Sequence, residues 1–409
     1  MLSLVLLAAV HVAAQERAPL DALLNEALDR NPEVLAAQKR YEAARQRPAQ
    51  ASALPDPMIS PGWNSSGAPW PGAGLGREPV ANIGVMVSQE IPYPGKRKLA
   101  GVIAAKEAEV EFEAYQQTQL NVISRVKQAY YRLAFAYAAT DIVDRNLELL
   151  RKFLKISEAR YSVGKAEQQD VLKAQTQISL LETRRIPLEQ EKRAREAEIN
   201  SLLYRAPNAP VGRPMDLAPV ALAATVEELV AAARSNSPMV RRDEKMIQRS
   251  ELAVNQARKE YMPDVTLNGG YYSMGSMPPM YMFRADIKVP LWLSKRRAAV
   301  TEQATAVQQG RAALQATEQS LSYQIRNDFT MAEAAARLAT LYRETVIPQA
   351  SLTLESSLFS YEAGKVDFLT VLTNYITIVE YEINYVEQLQ NQLLAMIRLE
   401  EMTGKRLLV

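Results

Sequence analysis

The stretch Tyr161–Leu172, YSVGKAEQQDVL, returns as Tyr361–Leu372, YEAGKVDFLTVL, without a single gap. The glycines fall at Gly164 and Gly364, the lysines at Lys165 and Lys365, and the Val-Leu pairs at Val171-Leu172 and Val371-Leu372. A glycine between two long segments of helical apolar period takes the left-handed backbone that ends one helix before another begins. Each copy therefore predicts the tip of a helical hairpin. Two copies predict a duplicated fold.

Composition agrees with long helices. The chain has 409 residues but only 16 glycines, and its longer segments are rich in Ala, Leu, Glu, Gln, Lys and Arg. Basic and acidic residues nearly balance at 48 against 46, with no basic block, so no nucleic-acid partner is expected. Cysteine is absent, which removes disulfides, thiolate metal sites, a thiol nucleophile and a lipid-modified cysteine. Residues 1–14, MLSLVLLAAVHVAA, read as a signal peptide with Val12 and Ala14 at the cleavage positions. Cleavage there would remove His11, the only histidine, and with it most metal and nucleophile-base chemistry. No later run reaches the roughly 18 to 20 apolar residues of a membrane-spanning helix. Any membrane contact must then be made by strands.

Outward from the tips, the two halves share one plan: 15–204 is the first repeat, 205–225 an equatorial linker and 226–409 the second repeat. A helix from about Asp21 to Gln50 is answered by one around "ARSNSPMVRRDEKMIQRSELAVNQARKEYMPD", with Pro238 matching Pro32 and Pro263-Asp264 matching Pro55-Asp56. Strand pairs come next. "IPYPGKRK" and "VPLWLSKRR" then start long helices, from about Gly95 to Tyr161 and from about Ser294 to Tyr361. Return helices end near Tyr204 and Gly404. Each long helix has roughly 65 residues, close to 100 Å, and the two shorter helices of each repeat sum to about the same. Val143, Leu147, Leu150, Leu154 and Tyr161 mostly step by three and four, a coiled-coil spacing.

The strands alternate. Ile83, Val85 and Val87 oppose Asn82, Gly84, Met86 and Ser88, while Tyr281, Phe283, Ala285, Ile287 and Val289 oppose Met282, Arg284, Asp286 and Lys288. That pattern fits a strand between lipid and a wet lumen better than the alternative, an antiparallel strand half-buried in a soluble sheet, which gives the same alternation. Trp63, Trp70, Trp292, Tyr93, Tyr271, Tyr272 and Tyr281 stand in or beside these strands, as in interfacial girdles. Four strands close no barrel, and open edges in lipid leave amides unpaired, so the chain is expected to oligomerise. Two copies fill their interior with side chains; three leave a lumen.

The duplicated order, the Y-x-x-G tips and the segments DVLKAQ from Asp170 and TVLTNY from Thr370 resemble the TolC family of outer-membrane efflux proteins. The resemblance covers the mature chain. It implies a mainly α fold with a small β part: a homotrimer with a twelve-stranded outer-membrane β-barrel, four strands per chain, continuing into a trimeric α-helical barrel in the periplasm. It implies no cofactor, and partners in the outer-membrane lipid, a periplasmic adaptor protein and an inner-membrane efflux pump. The adaptor would meet the tips at Tyr161, Gly164, Lys165, Tyr361, Gly364 and Lys365, with the two tyrosines bracing the helix ends. The family's gate aspartates match Thr370 and Thr373 here, which leaves Asp170, Asp367, Thr370 and Thr373 as gate candidates. The stretch QEIPYPGKRK from Gln89 is similar to the heavy-metal cation branch, with drug efflux or type I secretion as alternative roles.

An enzyme is not expected: no nucleophile elbow, phosphate loop or metal-ligand cluster is present. A periplasmic adaptor or structural coiled coil would not place strands between duplicated helices. One further group is singled out. Met274, Met277, Met280 and Met282 fall in SMGSMPPMYMF, read as a flexible loop joining the second strand pair and offering soft thioether ligands.

Overall fold

The computed structural model describes residues 19–65 and 67–408, so the signal-peptide stretch 1–14 lies outside the described residues. Its elements are α1 (Leu20–Arg30), α2 (Pro32–Ala44), α3 (Arg47–Ser52), β1 (Met58–Asn64), β2 (Asn82–Ile91), α4 (Lys96–Ser162), α5 (Gln168–Leu202), α6 (Val226–Asn236), α7 (Pro238–Lys259), β3 (Asp264–Met274), β4 (Met277–Lys288), α8 (Leu293–Leu341), a π-turn (Tyr342–Val346), α9 (Ile347–Glu362) and α10 (Phe368–Thr403). Two compact units form. Among the described residues, one holds those up to Ala36, Gln116–Ser237 and those from Gln319; the other holds Ala37–Tyr115 and Pro238–Glu318.

The first unit is helical. The 67-residue α4 contains no proline and a single glycine, so nothing interrupts its ladder. Its buried Val143, Leu147 and Leu150 pack with Leu181 of α5 and Val371, Leu372 and Tyr375 of α10. Nearer the chain's C-terminus, Lys127 and Glu400 form a buried ion pair at 2.5 Å. The other Glu400 oxygen accepts from the Leu407 and Leu408 amides, both at 2.7 Å, and so fastens the last residues of the chain.

Three expected helices are broken. The helix predicted over Asp21–Gln50 divides at Asn31, whose extended backbone is the one a following proline imposes. Asn31 also caps α2: its Oδ1 accepts from the Glu33 amide at 2.8 Å, and its Nδ2 donates to the Leu202 carbonyl at 2.9 Å. Ser237 and Pro238 repeat the break between α6 and α7. The second long helix is interrupted at Tyr342–Val346. Pro348 has no amide to donate, and the chain passes it through a π-turn in which the Ile347 amide reaches the Tyr342 carbonyl.

The second unit carries one antiparallel sheet in the order β1-β2-β3-β4, with both hairpins side by side. Its lower end is pinned by a buried lysine: Lys96 Nζ donates to Asp264 at 2.9 and 3.0 Å, to Glu260 at 3.3 Å and to the Met262 carbonyl at 3.2 Å. The Tyr93 amide completes the Asp264 site at 2.8 Å. The GKRK motif therefore has a structural task, since Gly95 at φ +87° turns the chain and Lys96 anchors β3. At Gly84 a Cβ would sit 2.0 Å from the Tyr271 carbonyl oxygen, which makes glycine obligatory there. No helix among the described residues is long and apolar enough to cross a membrane.

Candidate functional site

The sheet has two chemically different faces, and the register assigns them. Pairs Ile83↔Ser273, Val85↔Tyr271, Val87↔Gly269, Tyr271↔Tyr281, Gly269↔Phe283 and Val265↔Ile287 place Ile83, Val85, Val87, Tyr281, Phe283 and Ile287 on one face. All six are exposed, Phe283 to 85%. Val289 is exposed too, but lies one residue past the end of β4, so it extends the apolar stretch without belonging to the strand. The opposite face is polar and better covered. Ser88 donates to Asn268 at 2.6 Å, Asn268 to Asp286 at 2.9 Å, and Arg284 to Asp286 at 3.0 Å, while Asn268 is only 7% exposed. A sheet of a water-soluble protein buries its apolar face; this one does the reverse.

The methionine segment is corrected. Met274 and Met277 are a cross-strand pair closing a turn at Gly275-Ser276, and Pro278, Pro279, Met280 and Met282 lie within β4. There is no flexible loop. Gly275, at φ +72°, supplies the turn, while a bulge between the Tyr272 and Met274 pairings absorbs one extra residue of β4.

The helical tips are built alike. Gly164 and Gly364 have φ of +70° and +73°, and their amides donate to the Tyr161 and Tyr361 carbonyls at 3.0 and 2.9 Å. The Lys165 and Lys365 amides reach back to the Arg160 and Ser360 carbonyls, both at 2.8 Å. These pairs of bonds define the glycine-ended helix terminus. The tyrosines differ. Tyr361 is buried, with the Arg160 guanidinium 4.5 Å over its ring and Phe368 at 5.7 Å. Tyr161, at the equivalent position of the first tip, is 47% exposed. Beside the second tip a groove of 410 Å³ is lined by Leu352, Phe359, Ala363 and Lys365.

The four gate candidates divide. Asp170, in the first turn of α5, is buried. Burial pushes its carboxyl above the usual range, the Glu167 and Asp367 carboxylates push the same way, and Lys173 opposes them. Asp367 is exposed and caps α10: its Oδ1 accepts from the Thr370 hydroxyl at 2.5 Å and amide at 3.0 Å, which holds its carboxyl below the usual range. Thr370 is thus Asp367's partner. Thr373 is exposed, and its carbonyl accepts from the Thr377 hydroxyl. Sequence reading missed Lys173 and Arg160; the spacing of Lys173 three residues after Asp170 was the available signal.

Residues 23–203 and 229–405 match the family described as outer membrane efflux protein. The nickel-cobalt-cadmium resistance protein NccC of Alcaligenes xylosoxydans xylosoxydans is 24% identical over 308 residues, 74% of this chain and 69% of NccC. Among solved structures, CusC, described as forming a transmembrane channel, superposes with a TM-score of 0.80 at 15% identity, over 96% of this chain and 93% of CusC. The outer membrane protein VceC of Vibrio cholerae gives 0.78 at 18% identity, over 95% and 97%. The family match spans most of the sequence and the shared fold spans nearly all of it, so the chain belongs to the TolC family of outer membrane efflux proteins and is an outer-membrane efflux channel.

Proposed function

We propose that this channel works as a homotrimer in a tripartite exporter, passing metal cations outward from an inner-membrane pump and a periplasmic adaptor. The observation that carries the membrane part is the inverted sheet. Its exposed face is apolar, its covered face is polar, and β1 and β4 are free edges in the single chain. Three copies joined edge to edge satisfy every strand and enclose the polar faces around a lumen. The helices point the same way. Ile156, Val163, Leu172, Leu180 and Ile186 of the first hairpin and Leu352, Phe359 and Leu369 of the second are exposed apolar side chains that neighbouring copies would cover.

The adaptor contact is assigned to the tips, where Gly164 and Gly364 form tight turns, each followed by a lysine, and Lys365 lines the 410 Å³ groove. Asp170 is the gate residue of choice, being the buried carboxyl among the four candidates, and Asp367 acts on it through charge while capping α10. The metal-cation part is supported by the likeness to NccC. GKRK gives it no independent support, because Lys96 is spent on Asp264. Cells lacking the protein are expected to become sensitive to nickel, cobalt, cadmium, zinc, copper or silver salts. Sensitivity to organic toxicants alone would overturn the cation assignment and leave the channel.

A further inference from the structure

Methionine is not distributed over the sheet at random. The register puts Met58, Met86, Met274, Met277, Met280 and Met282, six of the chain's 14 methionines, on the polar face. Met58 pairs with Ser88, Met86 lies between Ser60 and Gly270, Met282 pairs with Gly270, Met280 with Tyr272, and Met274 with Met277. The bulge decides the last of these. From Tyr272↔Met280 to Met274↔Met277, β3 advances two residues and β4 three, so the extra residue at Pro278-Pro279 returns Met277 to the face that simple alternation would deny it.

The opposite face carries Ile59, Trp63, Ile83, Val85, Val87, Val265, Leu267, Tyr271, Phe283 and Ile287, and no methionine. The polar face carries no leucine, isoleucine or valine. Were methionine serving only as adaptable apolar filler, it would be exchangeable with those residues and would appear among them. It replaces them entirely on the face that holds Asn268, Arg284 and Asp286. What separates methionine from leucine in a wet, polar setting is the thioether.

We propose that these six methionines form a ladder of weak thioether sites for a soft monovalent cation, Ag(I) or Cu(I), along the polar face of the sheet. Successive rows on one face lie roughly 6.5–7 Å apart, so the four rows from Met58 to Met274 and Met277 extend about 20 Å along the strands. Within a row, Met86 and Met282 flank Gly270, and the Tyr272 ring lies over that glycine as an aromatic neighbour of the row. Neutral sulfur ligands suit these ions and hold them without charge, and several equivalent weak sites allow an ion to enter and to leave. Thioethers carry no proton at ordinary pH, so binding here should not vary between mildly acidic and neutral solution, unlike binding to histidine or thiolate. No group of three His, Cys, Asp or Glu able to hold a metal ion exists among the described residues to confuse the result.

The ladder deepens the cation reading, but its test does not depend on export. Full-length protein purified in detergent is titrated with silver nitrate by calorimetry, and the bound metal is examined by X-ray absorption at the silver edge. Saturable binding is expected, with sulfur neighbours, unchanged from mildly acidic to neutral pH, displaced by Cu(I) and not by Ni(II) or Co(II). Leucine at all six positions should abolish it. Should that variant fail to assemble, protein with norleucine in place of every methionine keeps the side-chain shape, removes the sulfur and should also lose binding. No saturable binding by the unmodified protein, or undiminished binding in either sulfur-free form, would overturn the ladder. Normal silver binding with no metal sensitivity in deletion cells would remove the export reading and leave the ladder standing.

Discussion

At the scale of single residues, two buried charges make predictions of different kinds. Lys96 is 6% exposed in its side chain and serves Asp264, Glu260 and the Met262 carbonyl. Lys96→Ala leaves the Asp264 carboxylate with the Tyr93 amide as its hydrogen-bond donor and Lys288 as a nearby charge, a loss of about 3–5 kcal/mol for breaking a buried pair from one side. A clearly lowered thermal midpoint of the detergent-solubilised protein is expected; an unchanged midpoint would refute the anchoring role. Asp170 acts through pH. Its carboxyl is raised first by burial, so the protonated form favours the folded tip, and that contribution is lost as pH rises from the ordinary aspartate value of about 4 through the raised one. Asp170→Asn should therefore slow hydrogen exchange over residues 161–175 at neutral pH, with the difference from wild type vanishing near pH 4. Faster exchange in the variant at neutral pH would show the charge to be welcome there. Tyr161 and Tyr361 show why such sites resist reading from sequence. They occupy equivalent positions in the repeat, yet Arg160 and Phe368 cover only Tyr361.

At the scale of elements, the hairpin tips separate backbone from contact. A Cβ added at Gly164 or Gly364 meets nothing within 4 Å, so the constraint at both positions is the positive φ alone. Gly164→Val with Gly364→Val should cost about 1–2 kcal/mol per site, too little to unfold hairpins with helices of this length. The double variant is expected to assemble normally in the outer membrane and to lose export; normal export would count against docking at the tips. Element order was legible because period three-to-four and period two differ so plainly, and α4 and α10 end within two residues of their predicted limits. The breaks were less so. Pro32 and Pro238 were visible as matching residues, but only the bonds from Asn31 to Leu202 and to the α2 amides show that the chain stops and restarts there. The methionines were visible as a cluster, while the place of Met277 on their common face depends on a one-residue bulge that changes the parity of β4, and strand parity past a Pro-Pro pair cannot be counted from sequence.

Across the whole molecule, the single chain holds an unfinished sheet. Four strands leave β1 and β4 each with an unpaired edge, and a face carrying Phe283, Tyr281, Ile287 and Val85 open to its surroundings. Lipid answers the exposed face, and further copies answer the edges. Three copies leave room for a lumen, whereas two give a barrel filled by its own side chains. Oligomer stability offers a check on the edges: Ser60→Pro, on the edge strand β1, should weaken association between copies more than Ser88→Ala on the interior strand β2, as read by the temperature at which the oligomer separates on a gel. Equal effects would argue against edge-to-edge closure. The most direct measurement is native mass spectrometry of the protein extracted by detergent from fractionated cells. A species of three copies is expected in the outer-membrane fraction; a single copy recovered from the soluble periplasm would contradict edge-to-edge closure in the membrane.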